Sequence, residues 1–369
     1  MIREALVNGE FQAGDKLPSQ NEMCDQFGVS PHTVREAIAS LVHEGLLYRL
    51  HGKGTFVTEK KPRHLTIGLV VHRLTVQSYT NYRRSSEVSS ALLHFVQEEA
   101  NENDVAVLLY VSNDDPEMER RSLKDLVDRK VDGIILFYTG GEQNLDCLEQ
   151  VKMAGIPLVL VDRYVEGFET DYVVSDNFSG AVCVVDSLSE LGFDKILHYT
   201  YLNESNAVSD RTAGYVAAMT ARGIDCTSMI TGFPVPLQPS TVDAFRDEIV
   251  ASLRQADGRF AVFATNSGVL QYLWPFIVET GVPRDQLALA CFDYPYPGLP
   301  EDVTIVKAIQ PLEEIGRRSV RIILDKLGGL KAIQQVKIGT AIEVTTCCGL
   351  MTARSPLSDA LNAVSVQTL

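Results

Sequence analysis

The sequence predicts an α/β chain in two parts: a small helical head ending in a hairpin, and a larger body of two successive α/β halves built on parallel sheets. Three observations support this. Helix signals and a glycine-punctuated hairpin fill residues 1–58, and a polar, proline-broken run follows, Glu59-Lys60-Lys61-Pro62-Arg63-His64. From Thr66 onward, near-continuous apolar segments alternate with helix-length amphipathic stretches. Apolar strands of that kind are buried on both faces, the condition of a parallel sheet covered by helices.

Composition narrows the class. A chain of 369 residues fits two or three domains, and 45% hydrophobic with 22% charged residues is ordinary for a folded globular protein. No segment has the uninterrupted apolar length of a membrane span, and the N-terminus has no basic stretch leading into an apolar one, so a cytoplasmic location without membrane association is expected. The seven cysteines lack CxxC spacing and are expected as reduced thiols, without a metal, disulfide framework or cofactor. The net charge of −15 is unevenly placed: residues 1–64 hold eight acids and eight Lys/Arg, so the whole deficit lies in the body. That distribution permits nucleic-acid binding by the head without arguing for it.

In the head, Ser19-Gln20-Asn21-Glu22 has capping-box spacing, Met23 and Phe27 share a face, and Gly28 supplies a stop, which predicts a short helix over about 19–27. Ser30 then caps a second helix with Pro31 at its first position. Val34, Ala37, Ile38, Leu41 and Val42 form its buried stripe, leaving His32, Glu36 and Ala39 outward and Thr33 and Arg35 on the flanks. Two helices joined by a tight turn make a helix-turn-helix, whose second helix can enter a DNA major groove by its N-terminal end. The segments LLYRL and TFV around His51-Gly52-Lys53-Gly54 read as a hairpin wing, with His51 and Lys53 able to reach phosphates or the minor groove. On these features alone, a helical domain using its hairpin for protein contacts stays open.

The string LPSQNEMCDQFGVSPHTVREAIASLVHEGLLYRLHGKGTFV (17–57) resembles the winged-helix domain of the GntR family, with Leu17-Pro18-Ser19, Gly28-Val29-Ser30, Thr33-Val34-Arg35, Glu44-Gly45-Leu46 and Gly52-x-Gly54-Thr55-Phe56-Val57 in register. The resemblance implies double-stranded DNA as a partner, with His32, Thr33, Arg35, His51, Gly52 and Lys53 as its contacts. Pro31 departs from the arginine many relatives carry, so a base or phosphate contact common in the family is missing. The chain also begins inside the first helix, at Met1-Ile2-Arg3-Glu4-Ala5-Leu6, where relatives usually carry several more residues.

In the body, TIGLVV (66–71), VAVLLYV (105–111), VDGIILFY (131–138) and PLVLVD (157–162) read as strands of the first half, with Val88, Ala91, Leu92, Phe95 and Val96 on one helix face between the first two. KILHYTYL (195–202), a helix from Arg211, RFAVFATN (259–266), a helix through Trp274 and LALACFD (287–293) repeat the rhythm. Such sheets bind ligands beyond the carboxyl ends of their strands. Asp162, Arg163, Arg211, Asn266, Asp293 and Gln310 fall at such ends. Singly, each is explained by helix capping or solvation. Together, two carboxylates, two guanidinium groups and two amides suit the vicinal hydroxyls of a sugar.

From about 66 to 353 the body resembles the LacI-type effector domain and the periplasmic sugar-binding proteins, through VDGIIL, GIPLVLVDR, VVSDNFSGA, SDRTAGYVAAM, VFATN and IQPLEEIG. The fold class implied is α/β: an N-terminal winged helix-turn-helix plus a two-lobed periplasmic-binding-protein-like domain with parallel sheets. The expected domains are 1–58 (head), 59–65 (linker), 66–354 (body) and 355–369 (tail). The first lobe takes about 66–175 and 308–331, the second about 176–307 and 336–353. The same six strand-end residues carry over as ligand contacts. Ser267 departs from the usual aspartate, and VVHRLTVQSYTNYRRS lacks the usual small-polar pattern, leaving first-lobe contacts unassigned with Tyr79 and Tyr82 as candidates to stack on a sugar. A GntR-type head on a LacI-type body is an arabinose-repressor-like architecture. It implies a homodimeric, non-enzymatic regulator on a palindromic operator, a repressor released by a monosaccharide; a non-sugar ligand or a partner protein as corepressor is the alternative.

Overall fold

The computed structural model describes residues 11–12, 14–43, 46–50, 53–57, 65–74, 87–139, 141–202, 205–234, 244–256, 258–294, 299, 302–346 and 349–351. The first helix, His51, Gly52, residues 59–64 of the linker, Tyr79, Tyr82 and the tail lie outside them. The chain divides into two units, residues 1–64 and 65–369. Leu65, expected in the linker, is the first residue of a strand. No described helix is long and apolar enough to cross a membrane.

In the head, α1 (Gln20–Phe27) opens on the full capping box: Ser19 Oγ accepts from the Glu22 amide at 3.3 Å, and the Glu22 carboxylate accepts from the Ser19 amide at 2.6 Å. It stops at Gly28, whose φ of 64° a side chain would resist. After a two-residue gap comes α2 (Pro31–His43), with Ser30 Oγ accepting from the Thr33 amide at 3.2 Å. Strands β1 (Leu47–Leu50) and β2 (Gly54–Val57) pair antiparallel as the wing. Leu17, Met23, Val34, Ile38, Leu41, Leu47 and Val57 form the core that locks the helices to the wing.

The body holds two sheets. The first-lobe sheet is wholly parallel, in the order β13-β7-β6-β5-β3-β4: β3 (Leu65–Val71), β4 (Val105–Val111), β5 (Gly133–Phe137), β6 (Leu158–Val161), β7 (Asp171–Ser175) and β13 (Gln335–Ile338). Helices α3 (Glu87–Glu102), α4 (Pro116–Asp128), α5 (Leu145–Met153) and α10 (Leu312–Leu327) cover it. The second-lobe sheet has the order β15-β14-β12-β11-β10-β8-β9: β8 (Lys195–Tyr201), β9 (Ile230–Phe233), β10 (Phe260–Ala264), β11 (Leu287–Phe292) and β12 (Thr304–Ile309) are parallel, and β14 (Ala341–Thr346) and β15 (Gly349–Met351) are added antiparallel. Helices α6 (Asn177–Glu190), α7 (Asn206–Ala221), α8 (Arg246–Arg254) and α9 (Ser267–Thr280) flank it. Each sheet separates two apolar clusters, which is why the central strands β5, β6, β10 and β11 are buried at every position.

Two expected lobe boundaries need correction. Residues 336–338, assigned to the second lobe, pair with β7 in the first, and 308–309, assigned to the first, finish β12 in the second. The number of crossings is as expected and only their positions shift, because β12 completes its pairing in the second sheet before the chain leaves it and β13 pairs with β7 before the chain returns. The chain leaves the second lobe after β12, adds α10 and then one edge strand to the first sheet, and returns as β14.

Candidate functional site

The carboxyl ends of the strands position the candidate residues. In the first lobe Asp162 directly follows β6 with a φ of 67°, and the Arg163 amide donates to Val161 O at 2.8 Å, closing a tight turn around it. Arg163 Nε lies 3.3 Å from Asp162 Oδ2, and its guanidinium sits 5.1 Å from the centre of the Phe137 ring at the end of β5. The sequence reading missed His72, just past β3: its ring packs on Phe137 at 4.2 Å, and its Nδ1 is 2.8 Å from Ser89 Oγ. Burial pushes the His72 imidazole below its ordinary range, opposed by the Asp114 and Asp162 carboxylates. The contact with Phe137, distant in sequence, gave no local signal.

In the second lobe, Asp293 directly follows β11, also with a φ of 67°. Gln310 Nε2 donates to both Asp293 oxygens, at 3.0 and 3.1 Å, and Gln310 Oε1 accepts from Ser175 Oγ at 2.8 Å. Gln310 is therefore an orienting bridge: its amide holds the Asp293 carboxylate and ties it to the end of β7 in the other lobe. Arg211 was expected to open its helix, but α7 begins at Asn206 under a Ser205 cap, which puts Arg211 in the second turn. It is buried, with Nε donating to Asn177 Oδ1 at 2.8 Å, Nη1 donating to Thr265 O at 2.9 Å, and its guanidinium 3.9 Å from the centre of the Phe292 ring. Asn266 caps α9, its Oδ1 accepting from the Val269 amide at 2.9 Å. Asn177, Phe292 and Ser175 thus join the set the sequence pointed to. A close approach fixes this geometry. A Cβ on Gly214 of α7 would lie 2.3 Å from Phe178 O of α6, so only glycine lets the helix carrying Arg211 sit against the helix carrying Asn177.

The head presents its own surface. His32, Thr33, Glu36 and Arg35 are exposed on the first two turns of α2 while Val34, Ile38 and Leu41 face the core. His32 Nδ1 lies 3.7 Å from Glu36 Oε2, and Thr33 Oγ1 is 2.9 Å from Ser30 Oγ. Lys53 is exposed beside the wing; the fit of His51 and Gly52 lies outside the described residues.

Two families match the two units. The family of bacterial regulatory proteins named gntR matches residues 1–57, and the periplasmic binding protein domain matches residues 78–299. The chain belongs to the periplasmic binding protein domain family and carries a gntR-family head. Its relatives include the arabinose metabolism transcriptional repressor of Halalkalibacterium halodurans, 27% identical over 226 residues, a match that takes in 60% of this chain and 60% of the relative. The chain thus spans about three fifths of the length of the curated relatives it matches first. Among solved structures, a LacI family regulator of Enterococcus faecium with bound ribose aligns with a TM-score of 0.57 at 22% identity, covering 76% of this chain and 98% of that one. A periplasmic binding protein/LacI regulator of Alkaliphilus metalliredigens complexed with D-xylulofuranose aligns with a TM-score of 0.57 at 19% identity, over 79% and 99% of the two chains. These likenesses establish the two-lobed fold of a periplasmic-binding-protein body.

Proposed function

We propose that the chain is a sequence-specific DNA-binding regulator, a cytoplasmic homodimeric repressor of carbohydrate-utilisation genes that a monosaccharide releases from a palindromic operator. The observation that carries the reading is the pairing, in one chain, of an outward-facing second helix on a gntR-family head with a carboxylate and a guanidinium in each lobe of the body, Asp162 and Arg163 past β6, and Asp293 past β11 with Arg211 on α7.

Asp162, Arg163, Arg211, Asn266 and Asp293 would meet the sugar hydroxyls, with Gln310 holding Asp293 in its bonding direction. Charged partners suit hydroxyls because charge-assisted hydrogen bonds are the stronger kind. The ring of His72, backed by the buried Phe137, adds an aromatic surface in the first lobe. Ligand binding across the lobes shifts the population towards their closed arrangement, and the heads then lose the spacing that fits two half-sites. His32, Thr33, Arg35, His51, Gly52 and Lys53 are the DNA contacts in this reading. Nothing in it calls for catalysis by the body.

The test uses the full chain. Selection from random duplexes should recover a two-fold symmetric sequence, and mobility-shift titrations on it should show release by one of the monosaccharides arabinose, ribose or xylulose. Recovery of no sequence sinks the DNA assignment. A recovered operator from which none of the three releases the chain sinks the sugar assignment and turns the search to other ligands.

A further inference from the structure

We propose that Tyr164, Asn206, Asp210 and Lys337 form a clasp between the lobes, outside the ligand set, that sets how readily the lobes separate and therefore how much effector is needed. The first half stands on geometry alone; the second rests on the function proposed above.

Tyr164 follows Asp162 and Arg163 on the same loop. Its carbonyl accepts from Asn206 Nδ2 at 2.9 Å, and its ring stacks on Tyr172 of β7 at 4.8 Å with 19° between the planes. Lys337 of β13, in register with Val174 of β7, places Nζ 5.1 Å from the centre of the Tyr164 ring and 3.4 Å from Asp210 Oδ2. Tyr164, Tyr172 and Lys337 belong to the first lobe. Asn206 and Asp210 belong to the second, one turn apart on α7, and Arg211 is the next residue. The loop that carries two candidate ligand residues of one lobe is therefore gripped by the helix that carries a third from the other.

The clasp is built to be weak. The Lys337–Asp210 pair is partly exposed, at 40% and 28% of the side-chain surface, where ion pairs contribute little. Asn206 donates one hydrogen bond while its own Oδ1 is buried with no partner among the described residues, an arrangement that opposes the contact it makes. A contact so balanced can be shifted by a ligand of modest differential affinity, which a fully satisfied interface could not.

Amide hydrogen exchange on the ligand-free full chain tests the clasp. One hydrogen bond of ordinary net strength corresponds to roughly a fivefold change in an opening equilibrium. Asn206→Ala, Asp210→Lys and Lys337→Asp should each raise exchange about fivefold or more in residues 163–172 and 206–215, with β5 and β10 unchanged. The exchanged pair Asp210→Lys with Lys337→Asp should return protection towards wild type. Unaltered exchange in the single variants, or a double variant no better than its parents, overturns the clasp. Should a charge variant also lose protection in β5 or β10, Asp210→Asn and Lys337→Met replace it and are read the same way.

The second half is read by titrating arabinose, ribose and xylulose against operator-bound protein. With the active sugar, clasp variants should need about fivefold more for half-release; an unchanged requirement despite faster exchange overturns the link to effector sensitivity. A wild-type chain that answers none of the three counts against the function proposed above, and the exchange result still decides the clasp.

Discussion

Asp162 and Asp293 hold the same place in the two lobes: each is the first residue beyond a buried parallel strand, and each has a φ of 67°. Left-handed backbone is uncommon outside glycine, and aspartate is among the few residues that tolerate it. Strain of this kind concentrates where a side chain must be aimed.

The paired strain separates two roles of Asp293. Asp293→Gly keeps the backbone at ease and removes the carboxylate; Asp293→Ala removes the carboxylate and strains the backbone. Both should weaken sugar binding at least tenfold by calorimetry, while the alanine variant should be less stable than the glycine one by about 1 kcal/mol in denaturant unfolding. Equal stability would mean that the left-handed turn costs nothing here.

Gly214→Ala tests the α6–α7 approach. The added methyl meets the backbone oxygen of Phe178, which cannot swing aside, so overpacking should destabilise the body by about 1–3 kcal/mol. Because the same contact registers Arg211 against Asn177, sugar affinity should fall as well, though the substitution touches no ligand group. A variant with wild-type melting and binding would show that the helices can part freely.

His198 gives a pH dependence whose sign follows from burial. Its Nδ1 donates to Phe263 O at 3.0 Å and its Nε2, then an acceptor, lies 3.1 Å from Thr212 Oγ1. Burial holds its pKa down, to about 4 from an ordinary 6.5. The unfolded chain therefore binds the extra proton between these values, so the contribution is fully present above pH 6.5 and is lost as the pH falls towards 4. Over that window the ring accounts for about 3 kcal/mol. Proton NMR of the imidazole should show it neutral at pH 5, and titration near 6.5 would refute the assignment.

On the head, Ser19→Ala removes one half of a reciprocal cap and should cost about 1 kcal/mol, measured on thermal unfolding of the full chain. Arg35→Ala should reduce operator affinity by about 1–3 kcal/mol if the guanidinium reads a base. Lys53→Ala should lower the salt slope of binding by roughly one per head. Unaltered affinity and slope in both would remove these residues from the interface.

Local signals were legible in the sequence. Ser19, Glu22, Gly28, Ser30 and Pro31 encode the head's helices within a few residues of each bond they make, and the doubly buried strands announce themselves by unbroken apolar runs. Contacts made across the chain were not. Ser175, Asp293 and Gln310 meet through the crossings between lobes, and His72 meets Phe137 only because β3 and β5 are neighbours in the sheet. Strand β13 escaped for a related reason: QVKI alternates at an exposed edge, and its pairing with β7 is fixed by an earlier part of the chain. The start of α7 was readable at Ser205, yet the arginine drew the boundary five residues too late.

The threefold crossing between lobes has a consequence for synthesis on the ribosome. The first lobe lacks α10 and β13 until residue 338 has emerged, by which time all of the second lobe but β14 and β15 already exists. Neither lobe can close its core early and wait for the other. A nascent chain arrested before α10 exposes the apolar faces that Ile315, Val320, Ile322 and Ile323 would cover on β3, β5 and β6, which makes it a client for chaperones or proteases.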